Sequence, residues 1–218
     1  MPTTTLTPVS TARRVRRAGA WCLGGGIVGI AEVLVTLAWS PQVSEERFSY
    51  PFDAFWFVIA ELSYAFQHVL LVAGGVALLW LPTVRASRAA QIATRVAVAG
   101  LVLLVVAELS TLSLYDAATD STLATVIATS FMLPTLLIGV GLTVAGVALV
   151  RQGAAGGAGA RWLPAAVLAP GVYTFVVFIP AINGPDVIAR LGIGGWMLLF
   201  AVLGYVLTGF EGRGASQP

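Results

Sequence analysis

Long apolar stretches separated by short polar connections make up most of the chain. Five of these stretches, and a sixth that prolines interrupt, reach the roughly 20 residues that an α-helix needs to cross a bilayer. They predict six transmembrane spans, numbered in chain order, at residues 19–40, 55–81, 93–115, 122–150, 162–182 and 189–209. The predicted fold class is therefore all-α, an integral membrane bundle of six transmembrane helices. We expect a transmembrane domain at 19–209, a disordered basic tail at 1–18 and a short C-terminal tail at 210–218.

Prolines predict that the second half of this bundle is less regular than the first half. Proline lacks an amide hydrogen and clashes with the preceding helical turn. We therefore expect Pro134 to kink span 4, and Pro170 and Pro180 to bend or loosen span 5. Membrane helices tolerate such breaks where neighbouring groups satisfy the freed backbone carbonyls.

Composition agrees with a membrane protein and narrows its chemistry. Hydrophobic residues make up 58% of the 218 positions and charged residues only 10%, whereas soluble domains carry about 25% charged residues. All 12 basic residues are arginine, which excludes a lysine Schiff base and a lysine-containing phosphate loop. One histidine, His68, and one cysteine, Cys22, exclude a bis-histidine haem, a multi-histidine zinc site and an intrachain disulfide. We expect no cofactor and no metal.

The arginines are distributed unevenly between the two sides of the predicted bundle. Ten lie in the two tails and the connections 82–95 and 151–161, whereas only Arg47 and Arg190 lie on the opposite side. Because positively charged connections favour the cytoplasm, both termini are predicted to be cytoplasmic. Arginines at span ends indicate orientation, so no nucleic-acid partner is expected; the lipid bilayer is the expected environment.

Three acidic residues, Glu32, Glu61 and Glu108, fall inside predicted spans 1, 2 and 3. Each lies about six or seven residues from the outer end of its span, or roughly 10 Å deep at the helical rise. Ionisable groups at membrane depth are costly and by default suggest function. Their common depth predicts that three carboxyl groups meet at one level.

Helical spacing adds further members to this predicted site. Tyr64 and His68 follow Glu61 at i+3 and i+7 on one face of span 2. The candidate site therefore comprises Glu61, Glu108, Glu32, His68 and Tyr64, as a proton-handling or ligand-binding pocket. Similar spacing adds further polar neighbours on spans 1 and 3, namely Thr36, Trp39, Thr111 and Tyr115. The predicted pocket walls on spans 4 and 5 are Thr122, Thr125, Thr129 and Tyr173.

Two interpretations of the acids stay open. Three carboxyl groups packed together in hydrocarbon cannot all be ionised, so at least one is expected to be protonated at neutral pH. Such a set can exchange protons for a cation, or donate a proton to a substrate. Alternatively, each acid hydrogen-bonds a hydroxyl group on a neighbouring helix and only holds the bundle together, at about 1 kcal/mol each. His68 by itself is typical of a hydrogen-bonded interior residue rather than a metal ligand.

Two further segments have alternative interpretations. The aromatic, proline-bounded connection 40–53 is expected either to fold over the pocket or to anchor headgroups as an interfacial belt. The small residues Gly25 and Gly29 in span 1, and Gly141 and Ala145 in span 4, permit close helix approach. We favour contacts inside one bundle as their role. The alternative is a contact between two copies of the chain in a homodimer.

Four short motifs resemble one group of known sequences. They are Ser49-Tyr50-Pro51-Phe52 before span 2, His68 within it, Arg161-Trp162 at span 5 and Gly194-Gly195-Trp196 in span 6. Together they resemble a family of uncharacterised six-helix multi-pass membrane proteins of high-GC actinobacteria. The resemblance implies a bacterial inner (plasma) membrane location and carries no activity.

Three functional hypotheses follow. The first is an outward-facing acidic pocket that binds or transports a small cation or amphiphile, with protons as the exchanged species. The second is an intramembrane enzyme that uses carboxylic acid–base chemistry on a lipid or isoprenoid, by analogy with membrane terpene cyclases. The third is an accessory or structural subunit in which the acids only stabilise the bundle. Spans 1–3 and 4–6 show no repeat of the kind many transporters have, although a homodimer would supply symmetry.

Overall fold

The computed structural model describes residues 8–153 and 161–210. Regular structure in these ranges is helical: α1 (Pro8–Ala38), α2 (Ala54–Trp80), α3 (Pro82–Arg85), α4 (Arg88–Thr111), α5 (Thr122–Ser130), α6 (Met132–Arg151), α7 (Leu163–Tyr173), α8 (Ile179–Ile182) and α9 (Asp186–Thr208). A 3₁₀ turn at Leu112–Leu114 extends α4, and a π-helical segment at Thr174–Phe178 joins α7 to α8. An isolated antiparallel β-bridge between Arg47 and Ala118 joins the connection before α2 to the connection before α5.

Six helical segments are long and apolar enough to cross a membrane. They are Thr11–Ala38, Ala54–Trp80, Arg88–Leu114, Thr122–Arg151, Leu163–Ile182 and Asp186–Thr208. The predicted all-α fold is confirmed, with six helices of the length and apolar composition expected for membrane spans. The boundaries agree with the predicted spans to within a few residues except at the start of the first and third segments.

The first helix begins earlier than expected. The sequence predicts a disordered tail at 1–18, but α1 starts at Pro8, so residues 8–18 are helical. Proline is favoured in a first helical turn, and the arginines that follow are good helix formers. Residues 1–7 of the predicted tail, and 211–218 of the C-terminal one, lie outside the described residues.

Side-chain caps fix where several helices begin. The carboxylate of Asp53 accepts a hydrogen bond from the amide of Trp56 at 2.9 Å and so caps α2. Ser121 caps α5 in the same way, through the amide of Ala124 at 3.2 Å. These caps satisfy amides that a helix start leaves without a partner. They also place the first turn of α2, and with it Glu61, at a defined height in the bundle.

The six spans form a ring in chain order. Each packs against the next along the chain, and α9 closes the ring by packing against α1. Small residues allow this closure, because a Cβ added at Gly26 would lie 2.6 Å from the Ala201 nitrogen. The small residues singled out in spans 1 and 4 also pack against neighbouring helices inside the bundle. A Cβ at Gly25 would lie 2.8 Å from Leu70 Cβ, and one at Gly141 would lie 2.6 Å from the Ala97 nitrogen.

Proline breaks the second half of the ring as expected. Span 4 is divided after Ser130, whose carbonyl would otherwise bond to position 134, where Pro134 has no amide hydrogen. In span 5, the π-helical segment begins four residues after Pro170 and ends just before Pro180. The kink in span 4 and the irregularity in span 5 are both confirmed.

The two ends of the ring are filled differently. We call the end that carries the connections 39–53, 115–121 and 183–185 the acidic end, and the opposite end the arginine end. The main apolar cluster extends to the arginine end, where Leu81, Val84 and Leu163 are buried. Toward the acidic end, the ring surrounds a cavity.

Candidate functional site

A cavity of about 430 Å³ lies between the helices toward the acidic end. All five residues of the predicted site, Glu32, Glu61, Tyr64, His68 and Glu108, line it. They come from α1, α2 and α4, which are consecutive neighbours in the ring. The structure therefore brings together the side chains that the sequence places at one depth, while their role stays a prediction.

Glu61 and Glu108 face each other across the α2–α4 contact. Their carboxyl groups are within hydrogen-bonding reach of each other. Thr111, one turn beyond Glu108 on α4, donates its hydroxyl hydrogen to Glu61 Oε2. Glu108 Oε1 also lies 3.5 Å from His68 Nδ1. Two carboxyl groups in such proximity and burial can share one proton, which makes the pair able to take up or release a proton.

Glu32 belongs to a second group on the α1–α2 contact. The hydroxyl group of Ser63 donates to Glu32 Oε1. One turn away, Thr36 and Tyr64 join their hydroxyl groups at 3.0 Å. Hydroxyl groups on α2 therefore hold α1 at the level of the cavity. Ser63 and its contact with Glu32 were not among the sequence predictions, because a serine on a membrane helix gives no signal of its own.

His68 is a buried interior residue, as the sequence analysis favours. Its Nδ1 donates to the backbone carbonyl of Tyr64 at 2.8 Å, so the hydrogen of the neutral ring lies on Nδ1. Gln67 Nε2 lies 3.0 Å from His68 Nδ1 and 3.1 Å from His68 Nε2, and of these two ring nitrogens only Nε2 can then accept a hydrogen bond. Gln67 lines the cavity and is only 1% exposed. Sequence reasoning missed it because it neighbours His68 along the chain rather than at helical spacing from Glu61.

Spans 4 to 6 supply a mainly apolar and aromatic wall. Trp196 is buried in this wall, stacks on Phe178 and donates Nε1 to Thr174 Oγ1 at 3.0 Å. Thr174 starts the π-helical segment, so the irregular turn presents the hydroxyl that holds the indole. The further apolar members of this wall are Phe131, Ile182, Ile193 and Met197. Trp196, which is not among the site residues predicted from the sequence, is therefore part of the cavity.

Arg190 brings a positive charge to the edge of the cavity. It lies in the first turns of α9, and its Nε donates to Asp186 Oδ2 at 2.8 Å. The sequence predictions count Arg190 only as a charge on the less basic side of the bundle and do not include it in the site. The structure corrects this, because α9 begins at Asp186 and carries Arg190 into the lining.

The predicted wall residues on spans 4 and 5 do not line the cavity. Thr122, Thr125 and Thr129 are exposed, and the hydroxyl groups of Thr125 and Thr129 donate to carbonyls of their own helix. Tyr173 instead donates to the Gly192 carbonyl at 3.2 Å, between α7 and α9. Tyr115 is also outside the lining, since the chain leaves the α-helical path at Leu112. A threonine on a membrane helix can bond its hydroxyl group to a carbonyl of its own helix, so its spacing alone does not show which way it faces.

The connection 40–53 contributes one aromatic side chain to the cavity, and its alternative role as an interfacial belt stays a prediction. Phe48 lines the cavity, and its amide donates to the Ala117 carbonyl at 3.0 Å. Arg47 forms an ion pair with Asp116, so this connection is tied to the α4–α5 connection. Trp56, at the start of α2, is 40% exposed and stacks edge-on against Trp39. Phe48 therefore faces the cavity, while the Trp39–Trp56 pair lies outside it.

Within residues 8–153 and 161–210, no group of three histidine, cysteine or acidic side chains has an arrangement that could hold a metal ion. The cavity nevertheless offers carboxyl, amide and hydroxyl oxygens on one side and aromatic surface on the other. Such a lining suits a ligand with a cationic group and an apolar part.

No protein-family model matches the chain, and comparisons with curated proteins and with solved structures also find no match. A function for this protein is therefore inferred from the cavity itself.

Proposed function

We propose that this protein binds a small organic cation or cationic amphiphile in the acidic cavity and exchanges it for protons across the membrane. The observation that carries this proposal is the meeting of Glu32, Glu61 and Glu108, from three helices, on one cavity. Hydrogen bonding between helices explains one such acid easily. It does not by itself explain why all three acids line the same cavity.

Charge balance supports exchange with protons. In a site of low dielectric constant, three neighbouring carboxylates repel one another and lose their hydration, so the empty site holds protons. A bound cation compensates negative charge and allows a carboxyl group to release its proton. Glu61 and Glu108 are the best placed to do so, because their carboxyl groups lie within reach of each other. Cation binding and proton release are then coupled.

The rest of the cavity supports an organic ligand rather than a bare ion. Its volume of about 430 Å³ lies within the range of roughly 300–1,000 Å³ typical of small-molecule sites. Phe131, Phe178 and Trp196 provide aromatic faces for an apolar group or for the cation itself. Ala128 and Ile182 line the cavity and are also exposed, so the cavity reaches the surface of the bundle beside them. An amphiphile has a route of entry there.

The orientation and location belong to the same proposal. The arginine bias places both termini in the cytoplasm of a bacterial inner membrane, with the cavity toward the exterior. The irregular backbone of spans 4 and 5 supplies segments that can move while spans 1 to 3 keep the acids in place.

One observation favours a purely structural role as the second candidate. The contacts from Ser63 to Glu32 and from Thr111 to Glu61 each join neighbouring helices. If this were the whole role of the acids, the protein would be an accessory subunit. The two candidates differ in what a glutamine substitution does, because an amide retains hydrogen bonding but cannot exchange a proton.

The deciding experiment uses the purified protein in vesicles with an imposed pH gradient and benzylguanidinium as the probe. This cation stays charged over the working pH range and crosses protein-free bilayers slowly. We expect gradient-dependent uptake by the wild type, and none by Glu61→Gln or Glu108→Gln. Glu45→Gln is the matched control, since Glu45 is an exposed acid at the same end. Equal uptake by all variants, or by vesicles without protein, would reject the proposal.

A further inference from the structure

Two buried oxygen atoms on the wall of the cavity have no hydrogen-bond donor among the described residues. They are Glu32 Oε2 and Gln67 Oε1. An acceptor that is buried without a donor destabilises the protein, and more strongly where the group is charged. A role in joining α1 to α2 explains only Glu32 Oε1, which accepts a hydrogen bond from Ser63. It does not explain Glu32 Oε2. These two atoms therefore indicate a donor that the described residues do not supply.

The side chains that carry the two acceptors meet on consecutive turns of α2. Ser63, which holds Glu32, and Gln67 are four residues apart on the same face of α2, or about 6 Å along the helix axis. A ligand group with several N–H donors at this contact can therefore address both acceptors.

The amide of Gln67 is oriented by its neighbour. The hydrogen of neutral His68 is directed to the Tyr64 carbonyl, so His68 Nε2 accepts from Gln67 Nε2. With its nitrogen committed to the ring, Gln67 presents its oxygen as the free atom. Gly29 and Met197 pack closely beside this oxygen, because a Cβ at position 29 would lie 3.1 Å from Gln67 Oε1 and 2.7 Å from Met197 Cγ. A larger residue at position 29 would narrow the space next to the acceptor.

We propose that the cation bound here carries at least two N–H donors, as a primary ammonium or a guanidinium does, and donates them to Glu32 Oε2 and Gln67 Oε1. Its apolar part lies against Trp196 and Phe178. This inference rests on the proposed function and narrows it, because a quaternary ammonium has the same charge but no hydrogen to donate. The cavity is thus selective for protonated amines rather than for cations in general.

The test compares two probes of equal charge on the detergent-purified full-length protein. Calorimetric titration measures the binding of phenethylammonium and of its N,N,N-trimethyl analogue. We expect phenethylammonium to bind at least about tenfold more tightly, since the analogue leaves both acceptors unpaired. Equal affinities would overturn this inference and leave the proposed function standing. Binding of neither probe would overturn both.

A pair of variants tests the assignment of the acceptors. Gln67→Met keeps the length of the side chain and removes the free oxygen, so we expect weaker binding of phenethylammonium and unchanged binding of the trimethyl analogue. Thr94→Val is the matched control, because Thr94 is fully buried and its hydroxyl group also lacks a partner among the described residues, but it lies outside the cavity. We expect this control to keep the full preference. If Gln67→Met still preferred phenethylammonium over the trimethyl analogue to the same extent, Gln67 would not be one of the acceptors. If this variant does not fold, the comparison of the two probes on the wild type still tests whether the ligand must donate hydrogen bonds.

Discussion

The two halves of the ring contribute different things to the cavity. Spans 1 to 3 are long, continuous helices that bring three carboxyl groups, a histidine and the hydroxyl groups that hold them. Spans 4 and 5 are interrupted by prolines, and with span 6 they bring aromatic and aliphatic surface. The carboxyl groups of the cavity are therefore carried by regular helices, and the interrupted helices line its apolar side.

This difference has a physical basis. Carboxyl groups that share a proton need fixed separations, and regular helices joined by hydrogen bonds supply them. A wall that contacts the apolar part of a ligand needs only shape, so it tolerates a π-helical turn or a proline break. Irregular turns in helices are also frequent at functional sites. We therefore expect substitutions in the two halves to have different effects on stability and on uptake.

The largest effect is expected from Trp196→Ala in the aromatic half. Trp196 is buried between Phe178 and Phe200 and donates to Thr174. Removing a buried tryptophan side chain costs about 3–5 kcal/mol of stability. Denaturant unfolding in detergent measures this loss. Trp162→Ala is the control, because Trp162 is 58% exposed and should change stability by less than about 0.5 kcal/mol. Similar losses in the two variants would contradict the view that this wall is a packed structure.

The next effect is expected from Thr111→Val in the polar half. The substitution keeps the shape of the side chain and removes the hydroxyl group that donates to Glu61. Interhelical hydrogen bonds in membrane proteins contribute about 1–2 kcal/mol at most. We expect a loss of that size in denaturant unfolding, together with reduced proton-coupled uptake of benzylguanidinium. Thr111→Ser should restore both, since it returns the donor. A stable variant with normal uptake would show that Glu61 does not depend on this contact.

Pro134→Ala tests whether the broken backbone matters for movement. Alanine supplies the amide hydrogen that the Ser130 carbonyl lacks, so α5 and α6 should join into one helix. A new backbone hydrogen bond of about 1 kcal/mol should slow amide exchange around residues 131–135 about fivefold. We expect uptake to slow while probe binding stays unchanged. Pro164→Ala is the control, because Pro164 lies in the first turn of α7, where no such bond is missing. Faster exchange in Pro134→Ala would contradict the proposed continuous helix.

The sequence predicts the regular half of the site much better than the irregular half. The rise per residue of a helix is uniform, so distances from predicted span ends were sufficient to place Glu32, Glu61 and Glu108 at one level. Which face of a span points inward is harder to predict where lipid and protein interior are equally apolar. Thr125 and Thr129 illustrate this difficulty, because a hydroxyl group that bonds its own helix is stable against lipid.

The missed residues have the same explanation. Trp196 is apolar enough to belong on either side of a membrane helix, so nothing in its spacing marks it as a cavity residue. The free acceptor of Gln67 depends on the orientation of His68, which is a property of the folded structure. The sequence counts Arg190 only toward the charge of one side of the bundle, whereas its pairing with Asp186 allows it to lie in the first turns of α9 and to line the cavity.

That pairing gives the smallest and most specific predicted effect. Arg190 is the one basic side chain of the described residues that lines the acid-bearing cavity, and Asp186 compensates its charge from an exposed position. Asp186→Asn leaves the charge of Arg190 uncompensated, which should weaken the binding of phenethylammonium about twofold, the size expected for an exposed ion pair. Arg190→Gln should strengthen binding by a similar factor, and both changes should diminish at high salt, because ions screen exposed charges. Calorimetric titration at low and high salt measures these differences. If the two variants shifted the affinity in the same direction, Arg190 would affect binding through packing rather than through its charge. The electrostatic difference between the two halves would then not extend to Arg190.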